Sequence, residues 1–157
     1  MTDSEFMREA LREAALAGRA GEVPVGAVAV RAGEILAWAG NRVERDGDGT
    51  SHAEMLVLKE AAKILGGWRL DDVTVYVTKE PCPMCAGAMV NAHLEKVVFG
   101  FSDPKYGGCG GLFPITGSDR LLWNVETVPG VLQEECLAQF RAFFRAVRSG
   151  ERPKPRC

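Results

Sequence analysis

Two cysteines stand three residues apart in Pro81-Cys82-Pro83-Met84-Cys85, and well upstream lies the triplet His52-Ala53-Glu54. Thiolate sulfur and imidazole nitrogen are zinc ligands, and a catalytic zinc takes three protein ligands and leaves a fourth position to water. His52, Cys82 and Cys85 make such a set, for one Zn2+ per subunit, with Glu54 beside it to carry protons. Cysteines at i and i+3 project from one helix turn, and a helix N-terminus stabilises thiolate. Pro81 and Pro83 suit that first turn, where a missing N–H costs little. Deep inside a helix His52 and Glu54 would point to roughly opposite faces. The pair therefore works only if His52 sits at the helix start, with Thr50 and Ser51 as candidate caps.

Other readings of these residues stay open. A strand followed by Cys-x-x-Cys at a helix start is also the layout of thioredoxin-like redox proteins; the second helix start with its His and Glu favours a metal. A structural metal needs a fourth ligand. His93, the second of only two histidines, lies about two turns past Cys85, roughly 12 Å along a helix axis. That leaves Cys109 as the serious candidate.

The elements that must position these residues are legible in outline. Thr2-Asp3-Ser4-Glu5 has the capping-box pattern, Phe6, Ala10, Ala14 and Ala17 recur at helical spacing, and Gly18 and Gly21 are expected to end that helix. Val25–Val30 and Glu34–Ala39 read as strands turned at Gly33, and 41–50 as a polar loop. His52–Leu65 reads as a buried helix with Lys59, Glu60 and Lys63 on one face. Val73–Val77 is a strand, Ala86–Ala92 belongs to the cysteine helix, and Val97–Phe101 is a further strand. These strands are apolar almost throughout, as strands covered on both faces are. Trp123–Val128 reads as a last strand and Val131–Arg148 as a C-terminal helix. Alternating helix and strand predicts a three-layer α/β/α domain over residues 1–150, with a mixed sheet of about five strands. Residues 151–157 are expected to be a basic, mobile tail.

The chain has 157 residues, 46% apolar and 25% charged, values of an ordinary globular domain. No apolar run approaches the roughly 18 residues of a membrane span, and no secretory signal is read at the N-terminus, so the expected location is cytoplasmic. Five cysteines with one tight pair do not resemble a secreted disulfide framework. The net charge is −2, yet residues 141–157 hold six Lys/Arg against one Glu. That concentration predicts an acidic partner. Arg141, Arg145, Arg148 and Arg152 fall on one helical face with Phe140, Phe143 and Phe144 between them. Arginines neutralise phosphates and an exposed ring such as Phe144 stacks on a base. A solvated basic face over core phenylalanines is the plainer alternative.

Together His52-Ala53-Glu54 and Pro81-Cys82-x-x-Cys85 resemble the signature of zinc-dependent nucleobase deaminases. Glu22 to Ala27, Asn41-Arg42, Thr50 to Glu54, Pro81 to Ala88, Val97 to Gly100 with Asp103 and Lys105, and Phe143-Phe144-Arg145 resemble the bacterial tRNA-specific adenosine deaminases. The resemblance implies a cytidine deaminase-like fold and hydrolytic conversion of adenosine to inosine at the wobble position of a tRNA anticodon loop. It also implies a homodimer with sites built from both subunits. Glu54 is expected to be the proton carrier and Asn41 to hydrogen-bond the target base. Val25 is expected in an apolar wall, Ala53 to supply backbone and little bulk, and Asp103 and Lys105 to meet ribose and phosphate. Plainer roles for Asn41, Val25 and Asp103 are a turn, strand core and the turn before Pro104. Gly49, Ser51, Lys79 and the glycine-rich 107–111 depart from the usual pattern at the pocket rim. A deaminase of a free base or nucleoside, guanine or cytosine, shares this chemistry, and a non-catalytic zinc-stabilised binding module is a third reading.

Overall fold

A computed structural model describes residues 1–156; Cys157 lies outside the described residues. Helix α1 (Asp3–Arg19) leads into strands β1 (Gly26–Arg31) and β2 (Glu34–Gly40) and a short helix α2 (Val43–Asp46). Then come α3 (Ala53–Leu65), β3 (Val73–Lys79), α4 (Pro83–Asn91), β4 (Lys96–Phe101), β5 (Glu126–Val128) and α5 (Gln133–Arg148). The strands lie in the order β2-β1-β3-β4-β5, with β1 antiparallel to β2 and β3, and β3, β4 and β5 parallel. The expected five-stranded mixed sheet is therefore present.

Local chemistry sets most element ends. Thr2 Oγ1 accepts from the Glu5 N–H at 3.2 Å while the Thr2 N–H donates to the Glu5 carboxylate at 2.6 Å, closing the capping box. The helix runs through Gly18, contrary to expectation; Gly21, at φ +87°, turns the chain. Gly18 is instead a packing position beneath Pro24 and Phe143. The polar stretch 41–50 is not wholly loop, since it contains α2. The last strand begins only at Glu126, because Trp123 turns inward and its indole N–H donates to the Leu94 carbonyl at 2.8 Å.

Alternating strand residues feed two cores. Val75 and Val77 of β3 and Val97 and Phe99 of β4 pack against Ala53, Val57, Ala61 and Met89 of α3 and α4. Val28, Tyr76 and Val98 face the other way, onto Phe6, Met7 and Ala10 of α1 and Cys136 of α5. The sheet is thus covered on both faces, which explains its uniformly apolar strands. No helix among the described residues is long and apolar enough to cross a membrane. Beyond α5 the chain turns back along the body. Arg152 donates to the Gly18 carbonyl at 2.6 Å and lies over the Phe143 ring, Pro155 is buried, and the Arg156 N–H donates to Glu44 at 2.6 Å. Arg152 therefore does not continue the basic helical face.

Helix α1 crosses β1 where a side chain has no room. A Cβ on Gly26 would meet the Ala10 carbonyl and the Ala14 amide. Gly26→Ala should destabilise the protein by roughly 3 kcal/mol, seen as a lower urea midpoint with an unchanged slope. A wild-type midpoint would show that α1 is free to shift outward.

Candidate active site

Helices α3 and α4 begin close together past the end of the central strand β3, and each begins on a chemically active residue. His52 is the N-cap of α3 and Cys82 the N-cap of α4, both with extended backbone. His52 thus meets the condition its spacing from Glu54 imposes. Its Nδ1 lies 3.6 Å from Cys82 Sγ and 3.5 Å from Cys85 Sγ, and the three donor atoms all fall within 4.8 Å of one another. A tetrahedral metal with thiolate and imidazole ligands holds nitrogen and sulfur about 3.6 Å apart. The donor set therefore fits a metal ion in both chemistry and spacing. Cys109, the candidate fourth ligand, does not join this group: its side chain packs on the core, and burial pushes its thiol up to about 12.

The two thiols titrate as a pair. The hydrogen bond from Cys85 holds Cys82 down at about 4, with His52 adding to the effect, while Cys85, which keeps the proton and is buried, is pushed up. His52 is raised chiefly by its bond to Cys82. Glu54, only 4% exposed on the first turn of α3, is pushed up by burial. A carboxyl raised in this way is suited to pick up and return protons near neutral pH.

Neither Thr50 nor Ser51 caps α3. Thr50 bonds Asp48, and the Ser51 hydroxyl donates to Asp46 at 3.0 Å. The cap comes from Asn41, whose Oδ1 accepts from the Ala53 N–H at 2.9 Å. That bond leaves the Asn41 amide N–H2 as the donor on a cleft of about 400 Å³ lined by Val25, Asn41, His52, Glu54, Lys79, Glu80, Cys82 and Tyr106, among others. Asn41 and Val25 are thus in the cleft. Ala53 is buried in the core beside it. Asp103 and Lys105 stand outside the lining.

Asp103 is engaged within the protein. Its carboxylate accepts from Lys79 Nζ at 2.6 Å and from the N–H groups of Lys105 and Tyr106 at 2.9 and 3.1 Å. Burial raises this carboxyl, but the Lys79 ammonium and the two N–H groups outweigh it and hold Asp103 below the usual carboxylate range. Lys79 also lies 5.6 Å above the Phe140 ring, joining the cleft wall to α5. Lys105 is exposed.

Sequence reading missed two residues. Glu80, 3% exposed, accepts from the N–H groups of Asp103, Cys109 and Gly111 at 2.9, 3.0 and 2.8 Å. It organises the whole 103–111 loop, and Gly107 and Gly111 are small because that carboxylate fills their side-chain space. A carboxylate next to the Pro-Cys motif was the available signal. Tyr106, at the cleft rim, is the other; an aromatic residue inside a glycine-rich loop marked it.

On α5, Arg141, Arg145 and Arg148 are exposed, Phe143 is buried, and Phe144 is half-buried against Phe140 and Phe143, with ring centroids 4.9 and 5.1 Å away.

Residues 1–146 match the family described as MafB19-like deaminase. The chain is 53% identical over 150 residues to the tRNA-specific adenosine deaminase of Bacillus subtilis (strain 168), covering 94% of this chain and 92% of that one. A solved structure from studies of A-to-I editing by tRNA:A34 deaminases at the wobble position of transfer RNA is similar with a TM-score of 0.83 and 36% identity, covering 86% of this chain and 98% of that chain. A guanine deaminase from Bacillus subtilis is similar with a TM-score of 0.62 and 38% identity, covering 65% of this chain and 66% of that one.

Two outcomes test this geometry. His52→Ala and Cys82→Ala should each abolish stoichiometric metal binding, measured by elemental analysis; full metal content in either would show a different ligand set. Glu80→Ala should leave three part-buried N–H groups without their carboxylate partner, costing about 2 kcal/mol, with faster hydrogen exchange at Cys109 and Gly111. Unchanged exchange there would mean that the loop is held by other contacts.

Proposed function

The chain belongs to the tRNA-specific adenosine deaminases, and from that premise we propose that it converts adenosine to inosine at the wobble position of a tRNA anticodon loop, with zinc held by His52 Nδ1, Cys82 Sγ and Cys85 Sγ. One observation carries the reading: a three-donor metal set at tetrahedral spacing with a buried carboxyl raised by that burial beside it, His52, Cys82 and Glu54 lining one cleft. Zinc bound there supplies a water whose pKa is lowered from about 15.7 toward roughly 7.

The protein groups do the rest. Glu54 takes a proton from the attacking water and delivers it to N1 of the adenine, then takes the second proton from the hydroxyl now on C6 and gives it to the amine, so that the C6–N bond breaks, ammonia leaves and the C6 carbonyl remains. Asn41, its carbonyl oxygen committed to Ala53, presents its amide N–H2 to an acceptor on the base. Val25 closes the apolar side of the cleft. Lys105, exposed beside the rim, is suited to a phosphate, and Asp103, as the partner of Lys79, fixes the rim on which the ribose rests.

A base must leave its stack to enter such a cleft, and a hairpin loop offers one at lower cost than a duplex. Arg141, Arg145 and Arg148 extend the surface for the stem-loop backbone, and Phe144 borders it. The protein acts as a homodimer in the cytoplasm, as the resemblance implies. The groove along α3 and α4 lined by Met55, Ala62, Trp68 and Ala88 offers the apolar face such a dimer would cover. A free-base reading draws support from the likeness to the guanine deaminase and is separated by the same experiment.

The zinc-loaded protein should form inosine from an anticodon stem-loop bearing adenosine and release no ammonia from guanine, cytosine, adenine or free adenosine. Ammonia from guanine alone would favour the free-base reading. Glu54→Ala should keep its metal and lose at least about 10²-fold in turnover; full turnover would remove Glu54 from the mechanism. Arg145→Ala should weaken stem-loop binding and flatten its dependence on log salt by nearly one unit. An unchanged slope would mean that Arg145 touches no phosphate.

A further inference from the structure

Tyr106 is a large aromatic residue left 67% exposed, and it stands on the rim of the cleft that holds His52 and Glu54. Its loop is not slack. One residue away, Gly107 is buried against the Glu80 carboxylate and donates its N–H to the Asp103 carbonyl at 2.9 Å. The Tyr106 N–H itself donates to the Asp103 carboxylate, which Lys79 holds in turn. Three charged side chains, Lys79, Glu80 and Asp103, thus fix the backbone that carries the ring, while the ring remains in solvent. A ring held on a rigid backbone at the mouth of a site loses little entropy when something stacks on it.

We propose that Tyr106 is the stacking platform for the nucleotide adjacent to the target adenosine. The inference rests on the reading of the protein as an RNA deaminase and adds a specificity-determining residue to it. The cleft takes one extruded base, so the neighbouring bases of an opened loop must lie on its rim. Contacts to flanking nucleotides set sequence context in enzymes of this chemistry. Every base has a π-face, and stacking on an aromatic side chain stabilises any of them. Lys105, exposed and next in sequence, is suited to the phosphate joining target and neighbour. Tyr106 therefore acts on substrate positioning, and its loss falls on KM.

The test is a double-mutant cycle between the protein and the RNA. Stem-loops are made with an abasic nucleotide on the 5′ or the 3′ side of the target adenosine, and inosine formation is followed with the wild-type protein and with Tyr106→Ala, Tyr106→Phe and Tyr106→Trp. Tyr106→Ala should raise KM roughly 10-fold on the intact stem-loop, with Tyr106→Phe and Tyr106→Trp close to wild type. One abasic stem-loop should cost the wild type a similar factor and cost Tyr106→Ala almost nothing, since the two changes remove the same contact. Additive losses, or a Tyr106→Ala protein indistinguishable from wild type, overturn the platform. Loss in Tyr106→Phe equal to that in Tyr106→Ala overturns it too, because the phenol oxygen and not the ring face would then be in use. Absence of inosine with the wild-type protein overturns the RNA deaminase reading itself, whereas additive losses alongside wild-type inosine formation overturn Tyr106 alone.

Discussion

Two helix N-termini lie side by side past the end of the central strand β3, and the rest of the molecule depends on how that meeting is stabilised. Each N-terminus carries unpaired N–H groups and roughly half a positive charge. Two such ends repel unless negative charge lies between them. The Cys82 thiolate supplies it, together with the Asn41 oxygen on the Ala53 N–H. The same need for negative charge selects thiolate over thiol, which is the state a metal requires. The residues that could bind a metal are thus also the ones that let the two helices start where they do. The sheet imposes the meeting: α4 follows β3, α3 precedes it, and both pack on the same face.

Around that junction buried carboxylates hold the loop backbones. Glu22, fully buried, accepts from the N–H groups of Glu44 and Arg45 at 3.0 and 2.9 Å and so fixes α2, which borders the cleft at Val43. Glu80 does the same for the 103–111 loop on the opposite side. A carboxylate that accepts several backbone N–H bonds satisfies groups that a loop would otherwise leave to water, and it fixes their direction. The cleft is in this way a rigid mouth between two clamped loops. That rigidity suits a site that must receive a base already out of its stack.

Charge is divided along the chain in a way that matches this division of labour. The body is acidic, while α5 presents Arg141, Arg145 and Arg148 to solvent. Lys79 links the two regions, pairing with Asp103 in the cleft wall and lying over Phe140 of α5. The cleft and the basic helix are therefore neighbouring parts of one surface. Arg152 differs from the arginines of α5: it packs over Phe143 and bonds Gly18, so it fastens the chain end to α1.

The sequence by itself determined the metal-capable donor set, the carboxyl beside it and the layered α/β order, because each is carried by short motifs and by residue periodicity. His52 and Glu54 lie two apart and Cys82 and Cys85 three apart, and local backbone rules decide how such pairs can point. The strands were readable because burial on both faces leaves an unbroken apolar run. Only the tertiary structure decided what holds the motifs in place. Asn41 caps Ala53 across 12 residues, and Glu80 reaches Asp103, Cys109 and Gly111 across 23 to 31 residues. No local pattern announces a hydrogen bond to a backbone that distant. For the same reason Thr50 and Ser51, the nearest cap formers, were not the cap, and Gly18 and Arg152 took packing roles that their types did not reveal. A motif names the atoms that can react, whereas their distances to partners far along the chain exist only once the sheet has brought those partners together.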